Sequence, residues 1–209
     1  MNVETPGTLG ETIAAMGKNP AKIRNLKVTG TVNADDFYFM RDNMDILEAV
    51  NMKECSPASS VSFDAWSDWE SYVPYHGEPT SVDGNRHHWE YQTSLIPGNA
   101  FRDKKSLTKF VFPEDVSQIG YGAFINTNLS GAIILPESVK IIGDAAFYGT
   151  LIGNISFSSN LKKIGTEAFY GCTGLSGNLI FPDGLLYIGS SAFNGCKSLS
   201  GGHLHLPDE

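Results

Sequence analysis

From Ile96 onward, apolar and polar positions repeat as one phrase in five copies. Ile119-Gly120-Tyr121-Gly122-Ala123-Phe124 returns as Ile142-Gly143-Asp144-Ala145-Ala146-Phe147, then over 164–169 and 188–193. The first copy, over 96–101, carries Pro97 where the others have Gly. The phenylalanines fall at 101, 124, 147, 169 and 193, in steps of 23, 23, 22 and 24. Self-similarity at such a period predicts stacked coils, each burying its apolar face only against its neighbours.

A second phrase lies between the first ones. A leucine is followed by two alternating apolar residues and usually by Pro. The copies are Leu107 with Phe110, Phe112 and Pro113, Leu129 with Ile133, Leu135 and Pro136, Leu151 with Ile155 and Phe157, Leu175 with Leu179, Phe181 and Pro182, and Leu199 with Leu204, Leu206 and Pro207. Alternation predicts a short strand with one side inward. Pro, which lacks an N–H, belongs at the strand's end. The Gly after each Ile suits a turn that needs positive φ. The Ala before each Phe leaves room for the neighbouring coil, and the phenylalanines should stack as a spine. Val111, Ile134, Ser156 and Ile180 then point outward, with Lys109, Ala132, Asn154 and Asn178 before them.

The same strand spacing extends upstream. Ile23, Leu26 and Val28 return 24 residues later as Leu47, Val50 and Met52, so two further repeats precede the obvious five. Asp35-Asp36 ahead of Phe37, Met40 and Met44 reads as a helix start, with acids at the positive end of the dipole. Before them, Thr8-Leu9-Gly10-Glu11 has the form of a capping box. Leu9, Ile13 and Met16 mark one face of a short helix that Gly17 stops. That helix is placed to cover the first coil.

From Leu47 to Leu107 the step is 60, well beyond one period. The surplus, roughly residues 56–92, reads as an irregular insertion. It holds all three tryptophans, Trp66, Trp69 and Trp89, together with Phe63, Tyr72, Tyr75 and Tyr91. Asp83-Gly84 signals a turn between short strands. A loop this long is functional or packed on itself. The rings form either a small core or a ligand site in which Trp66, Trp69, Tyr72, Tyr75, Trp89 and Tyr91 stack on sugars or anchor a protein.

Composition narrows the function classes. The 209 residues carry a net charge of −8, which disfavours nucleic acid, whose binding needs a basic face. No apolar run reaches the ~18 residues of a membrane span. The first residues lack the basic and apolar regions of a signal peptide. Cys55, Cys172 and Cys196 do not make a disulfide framework. Equivalent side chains one repeat apart run parallel, so Cys172 and Cys196 read as small buried hydrophobes rather than a bridge.

No nucleophile elbow, zinc-protease helix, C-x-x-C or phosphate loop is present. No catalytic residue, metal ligand or cofactor is therefore assigned. His87-His88 and His203/His205 are the histidine pairs, and nothing in the sequence fixes a third ligand beside them. The sequons at Asn128 and Asn154 recur because the repeat recurs.

Taken together, L-x-x-I-x-L-P followed by I-G-x-x-A-F-x-x-C, with Cys172 and Cys196 in the Cys position, resembles the leucine-rich repeats of BspA-like bacterial surface antigens. The likeness runs from Ile96 to Pro207 and departs at Pro97 and at Ser158, which replaces the Pro. The opening repeats are similar to that family's N-terminal ones. The resemblance implies an α/β solenoid of short parallel strands with a helical N-terminal cap. Its expected parts are residues 1–55 (cap and two repeats), 56–95 (aromatic insertion) and 96–209 (five repeats). It implies a secreted or cell-surface protein, not an enzyme, that recognises a protein of a host or neighbouring cell. The candidate binding residues on the strand face are Lys109, Val111, Ile134, Ser156 and Ile180. Glycan binding through the insertion and a passive stalk are the alternatives. The last strand would leave an open edge. Further repeats or a second copy paired through His203 and His205 would cover it, the pairing responding to pH near ~6.5.

Overall fold

A computed structural model describes the backbone over residues 1–58, 60–66, 81–83, 86–91 and 94–199, and the side chains of 1–58 and 94–199. Strand β1 (Asn2–Val3), helix α1 (Leu9–Ala15), β2 (Asn25–Val32), α2 (Ala34–Asn43) and β3 (Ala49–Pro57) form the opening section. Strands β4 (Ser60–Trp66), β5 (Ser81–Asp83) and β6 (Arg86–Tyr91) follow. The repeats then alternate very short strands, β7 (Leu95–Ile96), β9 (Gln118–Ile119), β11 (Ile141–Ile142), β13 (Lys163–Ile164) and β14 (Tyr187–Ile188), with β8 (Lys109–Val111), β10 (Ser130–Ile134) and β12 (Leu151–Ser156).

Pairing is parallel throughout the repeats. One sheet has the order β1-β2-β3-β8, and β10 pairs β12. Ser130 N–H donates to Thr108 O at 3.1 Å, linking β8's coil to the next. The opposite side carries the sheet β14-β13-β11-β9-β7. Leu26 pairs with Val50 and Val50 with Phe110. The two upstream strands therefore share the register of the later repeats. Because β3 pairs directly with β8, the chain leaves after β3 and returns without interrupting the ladder. Between them, β4, β6 and β5 make an antiparallel sheet. The segment read as irregular thus has regular strands. Asp83 opposes Arg86, and Gly84 of the expected Asp83-Gly84 turn lies outside the described residues.

The core is a stack of rings. Phe101, Phe124, Phe147 and Phe169 are fully buried. Successive centroids from Phe101 to Phe193 lie 5.6, 5.3, 5.3 and 5.2 Å apart with near-parallel planes. Phe37 of α2 meets Phe101 edge-on at 6.0 Å, so α2 heads the spine. The alanines before the rings, Ala100, Ala123, Ala146, Ala168 and Ala192, are buried as the spacing required.

Four local expectations are corrected. First, the glycine after each Ile does not adopt positive φ. A Cβ on Gly143 would sit 2.8 Å from Ile119 O and 2.9 Å from Gly120 C, both backbone of the preceding coil. Gly120, Gly165 and Gly189 are crowded the same way, by backbone at 2.7, 2.5 and 2.3 Å. Close approach of coils selects glycine here. Pro97 is compatible because β7 is the edge strand of its sheet. The left-handed positions fall elsewhere, two residues before each Phe (Asn99, Gly122, Ala145, Glu167, Ser191) and two after (Asp103, Asn126, Gly149, Gly171, Gly195). With the Phe itself, their N–H groups donate to the next coil, as in Ala145 to Thr166 O, Phe147 to Ala168 O and Gly149 to Tyr170 O, each 2.8 Å. This inter-coil ladder balances the cost of placing Ala145 and Glu167 in αL, about 1–2 kcal/mol each.

Second, Thr8 does not form a capping box; its side chain makes no cap bond and donates to Thr5 O. Asp36 takes over. Its carboxylate is fully buried and accepts from Leu9 N (2.8 Å), Gly7 N (2.7 Å) and Asn33 N (3.0 Å). The capping box is in α2, between Asn33 and Asp36. Third, α1 ends at Ala15 and Met16 is 53% exposed, so only Leu9 and Ile13 face inward. Fourth, Leu151 is 48% exposed and the adjacent Ile152 is fully buried, so Ile152 rather than Leu151 faces inward. A register shift between Gly131 and Ala132 accompanies the change, and a one-residue slip exchanges faces.

Ser158 explains its own departure from Pro. It is buried, donates to Glu137 O at 3.0 Å and accepts from Asn160 N at 3.0 Å.

Candidate functional site

The strands set their side chains in rows across the coils. Ala132 pairs with Asn154 and Ile134 with Ser156. Ala49 pairs with Lys109 and Asn51 with Val111. Lys109, Val111, Ile134, Ser156 and Ile180 are all exposed, as are Ala132, Asn154 and Asn178. The apolar members are far out, with Ile134 at 73% and Ile180 at 79%, against 3% and 6% for their inward neighbours Ile133 and Leu179. Val111 at 44% and Leu151 at 48% extend the same face. Apolar side chains this exposed, repeated across coils, exceed what a solvated wall requires.

One margin of this face is acidic. Three residues after Val111, Ile134 and Ile180 stand Glu114, Glu137 and Asp183, all exposed, with Asp115 beside the first. Ser159 fills the remaining coil. It donates to Glu137 Oε2 from its hydroxyl (2.6 Å) and its N–H (2.9 Å), tying neighbouring coils together. Those two bonds hold the Glu137 carboxyl below its ordinary range and keep it charged. Upstream the margin is mixed, since Lys53 pairs with Glu114 and Lys27 with Glu54.

The position three residues after each Phe forms an interior polar row. Thr127 donates to Phe124 O, Cys172 Sγ to Phe147 O and Cys196 Sγ to Phe169 O. All three cysteines are free and buried. Burial pushes the Cys55 thiol up to about 12, and the Cys196 thiol together with burial raises Cys172. A raised pKa leaves Cys55 and Cys172 as thiols rather than nucleophilic thiolates at neutral pH. In the first copy Lys104 holds the same position. It is 7% exposed, and its ammonium donates to Arg41 O at the end of α2 (2.9 Å), where Tyr38 Oη and Arg41 Nη1 also reach Gly98 O and Asn99 O. Burial lowers the Lys104 pKa. A shallow cleft of about 360 Å³ lies at this junction, lined by Arg41, Asp42, Asp45, Arg102, Lys104 and Ser106. Arg41 is bound by Asp42 and Arg102 by Asp103. Only Ser106 Oγ on its wall is buried without a partner. Sequence reasoning missed Leu151 and the acidic margin, although the recurrence of acids after the Pro signals the latter.

The aromatic alternative falls largely outside the described residues. Trp66, Trp89 and Tyr91 lie on β4 and β6, whose backbones pair antiparallel, with Trp66 opposite Arg86, Trp89 opposite Phe63 and Tyr91 opposite Ser60. Trp69, Tyr72 and Tyr75 lie outside the described residues, as do His203, His205, Leu204 and Leu206. Among the described residues no cluster of three His, Cys, Asp or Glu could hold a metal ion. No described helix is long and apolar enough to cross a membrane.

Comparison with known proteins gives one family. Residues 94–208 match six copies of a model described as BspA type leucine rich repeat region. A leucine-rich repeat protein of T. pallidum is similar at 28% identity and TM-score 0.48, over 58% of this chain and 54% of that one. One from Bacteroides ovatus ATCC 8483 is similar at 20% identity and TM-score 0.41, over 82% of this chain and 39% of that one. The chain thus spans about half the length of the first and less of the second. No curated protein matches.

Proposed function

The chain belongs to the BspA-type leucine-rich repeat family, and from that premise we propose that it recognises a protein partner through its outward strand face. The carrying observation is the row Val111, Ile134 and Ile180, apolar and 44%, 73% and 79% exposed on adjacent or near-adjacent coils. Such a row loses about 25 cal/mol per Å² of unfavourable hydration when covered. Lys109 and Ser156 add polar contacts at its border. A secreted or cell-surface setting, and adhesion to a host or neighbouring cell, are part of the proposal and rest on the family. So does a cap made by α1 and β1, which their position at the start of the β2 sheet supports. The leucine-rich repeat is in general a binding scaffold without catalysis.

The test is a protein array probed with the wild-type chain and with an Ile134→Asp/Ile180→Asp double variant. Loss of the wild-type signals in a variant with an unchanged melting temperature supports the reading. Signals that survive the double substitution refute it. Glycan binding through the 56–95 segment is the second reading, favoured only by its aromatic content. A parallel glycan array separates the two, and silence on both arrays leaves the passive stalk.

A further inference from the structure

The strand face has a spacing and a charge pattern that together specify an occupant, and this inference rests on the proposed docking role of that face. The apolar row advances one position per coil, with a polar gap at Ser156. Parallel strands stand about 4.7–4.9 Å apart, and the stacked rings behind them are 5.2–5.3 Å apart. A ligand lying along the stack must offer a side chain at that interval. An extended segment offers one every ~6.6–6.8 Å on a given side and loses register by nearly 2 Å per coil. An α-helix returns the same face every 5.4 Å. Over the three coil steps from Val111 to Ile180 its mismatch with the strands is about 2 Å, within the reach of side-chain rotamers.

Charge fixes the second property. From Glu114 onward the positions three residues beyond the apolar row carry Glu114, Glu137 and Asp183, with Asp115 beside the first; Lys53 pairs with Glu114 and Lys162 reaches Gly184 beside Asp183, so four acids face two bases along this margin. Three residues of extended chain place it at most about 10 Å from the row, the distance from a helix axis region to its flanking side chains. Glu137 is held charged by Ser159. Lys109 lies on the other side of Val111, at the first coil only. We infer that the occupant is an amphipathic helix of a protein partner, laid along the stack, with apolar residues at i, i+3/i+4, i+7 and i+11 and Lys or Arg along one flank.

The experiment uses the full chain and three labelled peptides of about 18 residues. One is a Leu-stripe helix with a Lys flank, one has the same stripe with a Glu flank, and one has the Lys composition broken by two central prolines. Binding is read by fluorescence anisotropy at about 50 and 300 mM salt. The Lys-flank helix should bind about tenfold more tightly than the Glu-flank helix, and salt should erase most of that preference. The proline peptide should bind at least about tenfold more weakly. Asp183→Lys combined with Glu114→Lys should remove or invert the flank preference, whereas Glu11→Lys on α1 should leave it unchanged. Equal binding of both flanks, lost in Ile134→Asp, would overturn the charge inference while leaving the docking face intact. Preference for the proline peptide would overturn the helical one. Binding that ignores Ile134→Asp would show that the peptide sits elsewhere and overturn the inference, and absence of binding by all three peptides would overturn it too, with the array still deciding the docking face separately. Stronger adhesion of the chain to lipid vesicles than to any peptide would point to a membrane surface instead of a protein helix.

Discussion

Replacing Gly143 by Ala tests how tightly the coils are stacked. The added Cβ would lie 2.8 Å from Ile119 O, 2.9 Å from Gly120 C and 3.0 Å from Tyr121 N. All three are backbone atoms, so no rotamer change relieves the contact. Gly143 N–H also donates to Ile119 O at 2.8 Å, so moving the coil outward stretches the bond that holds it. Overpacking of this kind costs about 1–3 kcal/mol. Restricting the unfolded chain returns about 0.4–1 kcal/mol, which leaves a net loss near 1–2 kcal/mol. For a chain of this size that is a melting temperature lower by about 2–8 °C. Gly153→Ala is the control. Gly153 has no positive φ, and its nearest neighbour would be Gly131 O at 3.6 Å, an ordinary contact. It should melt at or slightly above the wild type. Thermal unfolding followed by circular dichroism reads both variants. A Gly143→Ala protein as stable as Gly153→Ala would refute close coil approach as the reason for the glycine.

Three further perturbations have defined outcomes. Phe147→Ala, in the middle of the spine with rings 5.3 Å away on both sides, should cost about 3–5 kcal/mol, whereas half-buried Phe193→Ala at the end should cost clearly less; equal losses in denaturant titrations would contradict a stacked core. Asp36→Ala strands three backbone donors, and since bonds to charged groups contribute about 1.5–3 kcal/mol each, it should release residues 1–16 to rapid hydrogen exchange while residues 130–156 stay protected. For Lys104 the folded pKa lies below the unfolded value, so the unfolded chain binds more protons between the two and stability rises with pH across that window, up to about 10.5. Wild type should therefore gain on Lys104→Met as pH climbs from 8 towards 10.5, and a constant difference between the two would remove burial as the cause.

The legible part of the fold was what periodicity controls. The Phe spine, the buried alanines and the parallel strands at Leu26, Val50 and Phe110 all follow from spacing, because each coil repeats its neighbour's environment. The outward row was legible for the same reason, since alternation separates Ile134 from Ile133. Spacing could not reveal why a residue type is chosen. Glycine at 143 satisfies both a turn and a close approach, and only the neighbouring coil distinguishes them. Ala145 and Glu167 in αL have no sequence signal, because the ladder across coils, rather than their side chains, holds them there. Asp36 was readable as a helix-start acid but not as the partner of Leu9 and Gly7, which lie 27 and 29 residues away. Lys104 is visible as the Cys position only after the coils are superposed. Leu151 misled because two adjacent apolar residues, Leu151 and Ile152, leave the inward choice open.

The central claim is that recognition occurs on the outward strand face. Hydrogen–deuterium exchange of the chain with and without a protein captured on the array measures this directly. The account predicts added protection in residues 109–111, 130–134 and 151–156, with the turns at 143–149 and 165–171 unchanged. Protection confined to residues 81–91, with the three strand segments exchanging as in the free chain, would contradict it.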